Sequence, residues 1–365
     1  MTVYILTIVL LLFLYYVEVN VTMSSALKRT LLILAYAVLV LQIGLRWEIG
    51  TDWDAYFEHF EAVSDFSSAA PSLTSPEYGY NVCVWLTKLL VPNYSVFLVL
   101  HAVIYYLLIF NSIQRYTGML YLPLMVFYAE TMGVMGSNRQ LIAVAIGLFA
   151  LRYIESGQRT RFLLLVGLAF MFHSSALLLL LFLFLRASFR SSTIFLALAG
   201  AIVFGLSPLP EMLFSEAGNL LGGALVAKAA YYLAAGQTSI GESGLTVIGL
   251  VKRIVFLALF LHNRAYLSSR LRYYNLMFNG YVVGLVFYFA CARSLLIVVN
   301  RGSLYFDILE PILLTSHVML LTRKANRMAL ATALCVASVV FFFQSIAPYP
   351  SEFIPYRDVL TALRF

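Results

Sequence analysis

The chain has 365 residues, of which 62% are hydrophobic, 15% aromatic and only 11% charged, and its 24 Lys and Arg outnumber 17 Asp and Glu for a net charge of +7. A soluble domain has no interior able to hide successive apolar runs of about 18 or more residues, and the two-residue alternation of a membrane barrel is absent. The composition therefore specifies an all-α, polytopic integral membrane protein.

The first apolar run, Thr2 to Tyr16, leads to Glu18 and Asn20 instead of a small-residue cleavage site, and no basic side chain precedes it, so it reads as a retained helix. Spans are expected near 3–19, 30–46, 93–112, 119–136, 139–154, 193–207, 245–262, 273–292, 303–321 and 328–346. A single crossing between Arg161 and Arg186 would turn the acidic 208–244 loop inward and the Arg264, Arg270, Arg272 loop outward, against the positive-inside rule. Two short helices broken around His173, Ser174 and Ser175 keep both flanking arginines inside, so a membrane hairpin is expected at 161–186. Of the 17 acidic residues only Glu18 and Glu155 then face the cytoplasm. The expected organisation is one membrane domain, 1–365, with about ten full spans, the hairpin, and outer loops at 47–92 and 207–244. Cys83, Cys291 and Cys335 show no metal-ligand spacing, so neither a metal site nor a disulfide framework is suggested.

The charged string from Arg46 to Phe60 opens the outward face. Trp53, Tyr56, Phe57 and Phe60 follow i, i+3, i+4, i+7 spacing opposite Asp54, Glu58 and Glu61, the pattern of a helix lying in the interface. Thr51 and Asp54 resemble a capping box, which gives Asp54 a structural explanation; Asp52, close to Arg46, is the better functional candidate. Glu77 is either a solvated loop charge or an acceptor for sugar hydroxyls, ahead of a second interfacial helix with Trp85 and Lys88.

Arg139 and Gln140 begin a helix after Gly133, Gly136 and Asn138. A cation at a helix amino terminus opposes the macrodipole, whereas an anion there is favoured by both the side chain and the free N–H groups, so Arg139 reads as an anion ligand. Snorkelling to lipid headgroups is the plainer alternative. His173 lies at the hairpin tip, where non-helical backbone is tolerated only inside protein or along a water-filled cavity; it is either a packed polar residue or a base or positioner at a site. Lys252 and Arg253 fall inside a span, where a charge costs roughly 2.5–3.5 kcal/mol near the centre and needs a cavity or partner. Asp307 and Glu310 are the expected partners, either at a site or in an ion-pair network that only holds helices together; Arg293 and Arg301, before Tyr305, complete the basic set.

Arginines and a lysine at the outer leaflet suit a lipid diphosphate, because guanidinium forks bind phosphate oxygens bidentately, while nearby Tyr, Trp, Asp and Glu suit sugars. At this point the chain resembles a known family. G-T-D at 50–52 with Tyr56 after it, E-Y-G-Y at 77–80, R-Q-L-I-A-V-A-I at 139–146, F-H-S-S-A at 172–176 and R-G-S-L-Y-F at 301–306 are similar, in this order, to the EpsG-type, Wzy-like polysaccharide polymerases. Trp53 stands where Tyr is expected, and 193–300 offers no family motif. The resemblance implies a GT-C-like multi-helix glycosyltransferase that joins undecaprenyl-diphosphate-linked repeat units at the outer face of a bacterial inner membrane. Asp52 or His173 would take the acceptor proton, and Arg139 with Arg46, Arg301 or Lys252 and Arg253 would neutralise the departing diphosphate, with Glu77, Gln140, Arg293 and Tyr305 as further substrate contacts. No metal or cofactor is expected; membrane lipids are partners, a chain-length regulator and a flippase are candidate ones, and nucleic acid is not. A membrane O-acyltransferase modifying surface glycans and a lipid-linked oligosaccharide flippase are the alternatives.

Overall fold

The computed structural model describes residues 1–66, 78–221, 247–293, 295, 299 and 301–362. Among these residues the regular structure is all helix, and Arg46 with Asp358 forms an isolated β-bridge. It divides into two compact units, Met1–Leu177 with Thr315–Phe365, and Leu178–Leu314.

The first unit contains α1 (Thr2–Asn20), α2 (Ser25–Gly44), α3 (Trp53–Ala62), α4 (Tyr78–Leu90), α5 (Tyr94–Thr117), α6 (Tyr121–Thr131), α7 (Asn138–Glu155) and α8 (Arg159–Phe172), followed later by the long Lys324–Ile346 helix. Local chemistry sets several ends: the Ser24 hydroxyl accepts from the Leu27 amide to cap α2, Asn93 does the same for α5 through Val96, and Gly118, at φ 71°, closes α5 in the left-handed conformation. Nine consecutive residues of α6, Tyr121 to Ala129, are buried. A helix apolar all round belongs at a centre, and α1, α5 and the Lys324–Ile346 helix pack around this one. Beside α6, Gly133 nearly touches that long helix: a Cβ there would lie 1.8 Å from the Ser345 carbonyl oxygen. Gly133→Ala is therefore expected to force the helices apart at about 1–3 kcal/mol, lowering the thermal midpoint in detergent. Gly167→Ala, whose Cβ would meet nothing within 4 Å, should not lower it.

The interfacial stripe of α3 forms as its spacing indicates, with Trp53, Tyr56 and Phe60 buried and Asp54, Glu58 and Glu61 exposed. The expected Thr51–Asp54 capping box does not form. Asp52 occupies the N-cap without a side-chain cap bond, which leaves Thr51 one residue too early and Asp54 one position short of the box partner. After α8 the chain extends at His173 (φ −156°, ψ 128°) and then winds into a 3₁₀ helix, Ser174–Phe184. Ala176, Leu179, Phe182 and Leu185 are buried, three residues apart, which is the period of that helix. The break thus falls where the sequence places it.

In the second unit, α9 (Ser191–Leu206) packs along α13 (Tyr274–Cys291), with α10 (Leu209–Leu221), α11 (Val247–His262), α12 (Arg264–Arg270) and α14 (Leu304–Asp307) between them in sequence or following. Arg264 donates to the Phe189 carbonyl and to the Asn275 and Asn279 side-chain oxygens, and the Asn279 amide donates to the carbonyls of Leu185 and Ala187. This ties the segment before α9 to the start of α13.

By length and composition, α1, α2, α5, α13 and the Lys324–Ile346 helix can each cross a bilayer, and α9 with residues Leu209–Glu216, bent by 78°, adds a sixth if counted as one broken span. Other expected spans are shorter, more charged or broken. α6 has 11 residues, α7 carries Arg139, Arg152 and Glu155, and 303–321 is divided among Leu304–Asp307, α15 (Glu310–Ser316) and His317–Leu320. Within the expected outer loops, 47–92 holds α3 and α4 and the described part of 207–244 holds α10.

Residues 352–359 return to the loop after α2. Trp47 N donates to the Arg357 carbonyl (3.0 Å), Gly50 N to that of Glu352 (2.9 Å) and Val359 N to that of Leu45 (2.9 Å). Tyr4 and Tyr356 hydroxyls donate to the Phe353 and Gln42 carbonyls, and Arg357 pairs with Glu48 at 2.9 Å.

Candidate active site

In the first unit the loop carrying Asp52 and the turn leading to Arg139 meet backbone to backbone. Gly50, at φ +104°, packs on Gly136: a Cβ on Gly136 would lie 2.7 Å from Thr51 N and 3.1 Å from Asp52 N, and one on Gly50 would lie 2.8 Å from Gly136 Cα. No side chain fits on either residue, and that closeness is what brings Asp52 to the start of α7. Asp52 is half-buried. Arg139 is the second residue of α7, whose N-cap, Ser137, makes no side-chain cap bond. Its Nε donates to the Tyr56 hydroxyl at 2.9 Å, and its guanidinium lies 5.0 Å from the centre of the Tyr56 ring. Burial pushes the Tyr56 hydroxyl above its ordinary range while Arg139 draws it back, so near neutral pH the phenol keeps its proton and offers Arg139 a lone pair.

Around these residues stand Trp47, Trp53, Phe57, Tyr80, Tyr94 and Phe97, joined in a chain of aromatic contacts. Phe172 packs against the same cluster, which carries the end of α8, and with it His173, to this region. A Cβ on Gly79 would lie 3.0 Å from Met171 Cβ. His173 Nδ1 is 2.6 Å from Ser175 Oγ and 3.3 Å from Ser175 N. A backbone N–H can only donate, so Nδ1 accepts and the proton of the neutral ring sits on Nε2. A neutral His173 with Nδ1 so engaged acts as a donor through Nε2–H, not as a base through Nδ1.

Arg46 differs from the expected outward phosphate ligand. It is 1% exposed, and its guanidinium donates inward to the carbonyls of Ile43 (2.7 Å) and Ile49 (3.3 Å) and to Asn138 Oδ1 (2.7 Å). Gln140 is buried beside Arg139. Glu77 lies outside the described residues. Beside the Asp52 loop, Glu48, Gly50, Trp53, Asp54, Glu352 and Arg357 line an open cavity of about 240 Å³.

The second unit holds a separate charged cluster. Lys252 Nζ lies 2.5 Å from Glu310 Oε1, Ser303 Oγ donates to Asp307 at 2.6 Å, and Arg253 lies 3.8 Å from the centre of the Tyr288 ring while acting on the Asp307 carboxylate. Both cations thus have the acidic neighbours anticipated for them, although α11, at 16 residues, is not among the described helices long and apolar enough to cross a bilayer. Tyr305 is buried, Arg301 half-buried, and exposed Arg293 donates to the Leu206 carbonyl at 3.0 Å beside a cavity of about 230 Å³ that Glu211 also lines.

Sequence reasoning passed over Tyr56 as the partner of Arg139, and also Asn138, His101 and the returning 352–359 segment. Paired glycines at 50 and 136 are the one sequence cue to the contact between the two loops. Among the described residues no three His, Cys, Asp or Glu side chains gather as a metal site. A family model described as the EpsG family matches residues 29–357, most of the chain. No curated protein and no solved structure matches it.

Proposed function

The chain belongs to the EpsG family, and from that premise we propose that it is a polysaccharide polymerase, a membrane glycosyltransferase joining undecaprenyl-diphosphate-linked repeat units at the outer face of a bacterial inner membrane. The acceptor hydroxyl of the next lipid-linked unit attacks the anomeric carbon of the growing glycan. The bond from that carbon to the diphosphate oxygen breaks, its electron pair leaves on the diphosphate, and the acceptor proton passes to the Asp52 carboxylate. Arg139, with the free N–H groups that open α7, meets the charge developing on the leaving group. Cationic side chains supply the stabilisation that a metal gives other enzymes. His173, through Nε2–H, holds a substrate oxygen, and Glu77 and Gln140 are the proposed sugar contacts. Lys252, Arg253, Arg293, Arg301 and Tyr305, all within the second unit, are proposed as further substrate contacts.

The observation that carries this reading is the Gly50–Gly136 contact, which packs a carboxylate-bearing loop against the helix start bearing Arg139. Purified protein in liposomes, given one defined lipid-diphosphate-linked repeat, should yield a ladder of products two or more units long. Only single units after prolonged incubation would sink the proposal. Transfer of label from acetyl-CoA would instead indicate an acyltransferase, and movement of intact single units across the bilayer a flippase.

A further inference from the structure

Arg46 reaches three separate segments from one planar group: Ile43 at the end of α2, Ile49 in the loop that carries Asp52, and Asn138 at the first residue of α7. All three partners are neutral oxygens. Burying a cation on carbonyl and amide oxygens alone is costly, and the rigid fork of an arginine is the side chain that can hold several acceptors at fixed angles. Asn138 is likewise 1% exposed, and its carbonyl accepts from His101 Nε2 at 2.8 Å. Its own Nδ2 and His101 Nδ1 are buried without a partner, while the buried hydroxyls of Tyr80 and Tyr94 approach its carboxamide without reaching hydrogen-bond geometry. Arg46 donates the short hydrogen bond that this carboxamide oxygen accepts.

We propose that Arg46 and Asn138 form a positioning pair that sets the separation of Asp52 from Arg139 without touching substrate. One end of the pair spans the Asp52 loop, and the other is the residue covalently joined to Arg139. The inference rests on the reading of Asp52 as base and Arg139 as diphosphate ligand. A displacement of about 1 Å between groups that must act together costs on the order of 10²-fold in rate. Losing the pair should therefore slow turnover and leave the affinity for the charged lipid unchanged.

The test compares full-length Arg46→Lys, Asn138→Ala, Asn138→Asp and Arg139→Ala in liposomes. Arg46→Lys keeps the charge but loses the fork; it is expected to lower kcat by about 10- to 100-fold while binding undecaprenyl diphosphate with the wild-type Kd, whereas Arg139→Ala weakens that binding. Combining Arg46→Lys with Asn138→Ala should be no slower than the slower single variant, because both break one link. Asn138→Asp, which keeps the accepting oxygen, should recover most of the turnover that Asn138→Ala loses. A weakened Kd in Arg46→Lys, multiplied losses in the double variant, or an Asn138→Asp as slow as Asn138→Ala would each overturn the pair. Amide hydrogen exchange keeps the question separate from the polymerase reading. If the wild type makes no polymer, that reading fails by itself, while the pair still requires faster exchange in both 47–52 and 135–138 in Arg46→Lys. Unchanged exchange in either segment would overturn it.

Discussion

Arg139→Ala is expected to abolish chain extension while leaving the amount of protein in the membrane unchanged. The guanidinium sits half-exposed at the second position of α7, where it opposes the helix dipole and where an anion would relieve the conflict. Relief of that conflict offsets part of the lost Tyr56 contacts, so the variant should remain folded and membrane-inserted. The transition state is another matter. In the proposed reaction charge builds on the diphosphate as the glycosyl bond breaks, and loss of one preorganised donor to a developing oxyanion costs about 10²–10³ in kcat. Arg139→Lys should recover only part of this, since an ammonium carries the charge without the two-pronged geometry and cannot reproduce the Nε contact to Tyr56. Glycan ladders from cells, read beside immunoblots of the membrane fraction, give both quantities at once. Wild-type ladders from Arg139→Ala would remove the residue from the site.

Lys252→Met should give the largest loss of stability, and Glu310→Gln in the same chain should reverse much of it. The pair is close, with Lys252 side-chain exposure at 23% and Glu310 at 9%. Removing one member of a buried ion pair typically costs about 3–5 kcal/mol, because the remaining charge has lost its compensation; the partial exposure of Lys252 places the expected figure toward the lower end. Neutralising both removes the stranded charge. Thermal midpoints of the two singles and the double in detergent make the comparison, and equal midpoints throughout would show the pair to be energetically idle. The folded double variant then separates two roles for Lys252. Retained polymerisation makes the cluster an internal brace, and lost polymerisation ties Lys252 to the substrate.

The apolar runs announced most helices because a bilayer span has to be long and uninterrupted, and α3 was legible from its stripe. Elsewhere the sequence was silent for physical reasons. The residues after His173 are so uniformly apolar that a three-residue period cannot be told from any other, so the 3₁₀ helix left no mark. The 303–321 run reads as one span by hydropathy, yet Pro311 has no N–H to offer the Asp307 carbonyl four residues earlier, and the helix is divided between Leu304–Asp307 and Glu310–Ser316. Arg46 misled most. Two of its three partners are backbone oxygens, which carry no residue-type signature, and the third, Asn138, is 92 positions away. A satisfied buried arginine and a waiting phosphate ligand look alike in a string of letters. Arg139 was easier, because helix polarity alone makes a cation at that end conspicuous.

The loop that bears Arg46 has a maturation order built into it. Its amides at Trp47 and Gly50 find their acceptors on Arg357 and Glu352, which the ribosome adds roughly 300 residues later; at about 5–20 residues per second that is on the order of 15–60 s. From the addition of Arg139 to the end of that interval a nascent chain carries Asp52 and Arg139 but not the strap that fastens the loop ahead of Asp52. Competence would thus arrive in one late event, after the bundle is threaded into the bilayer, and a chain whose synthesis stalls before Glu352 would be inserted yet inert.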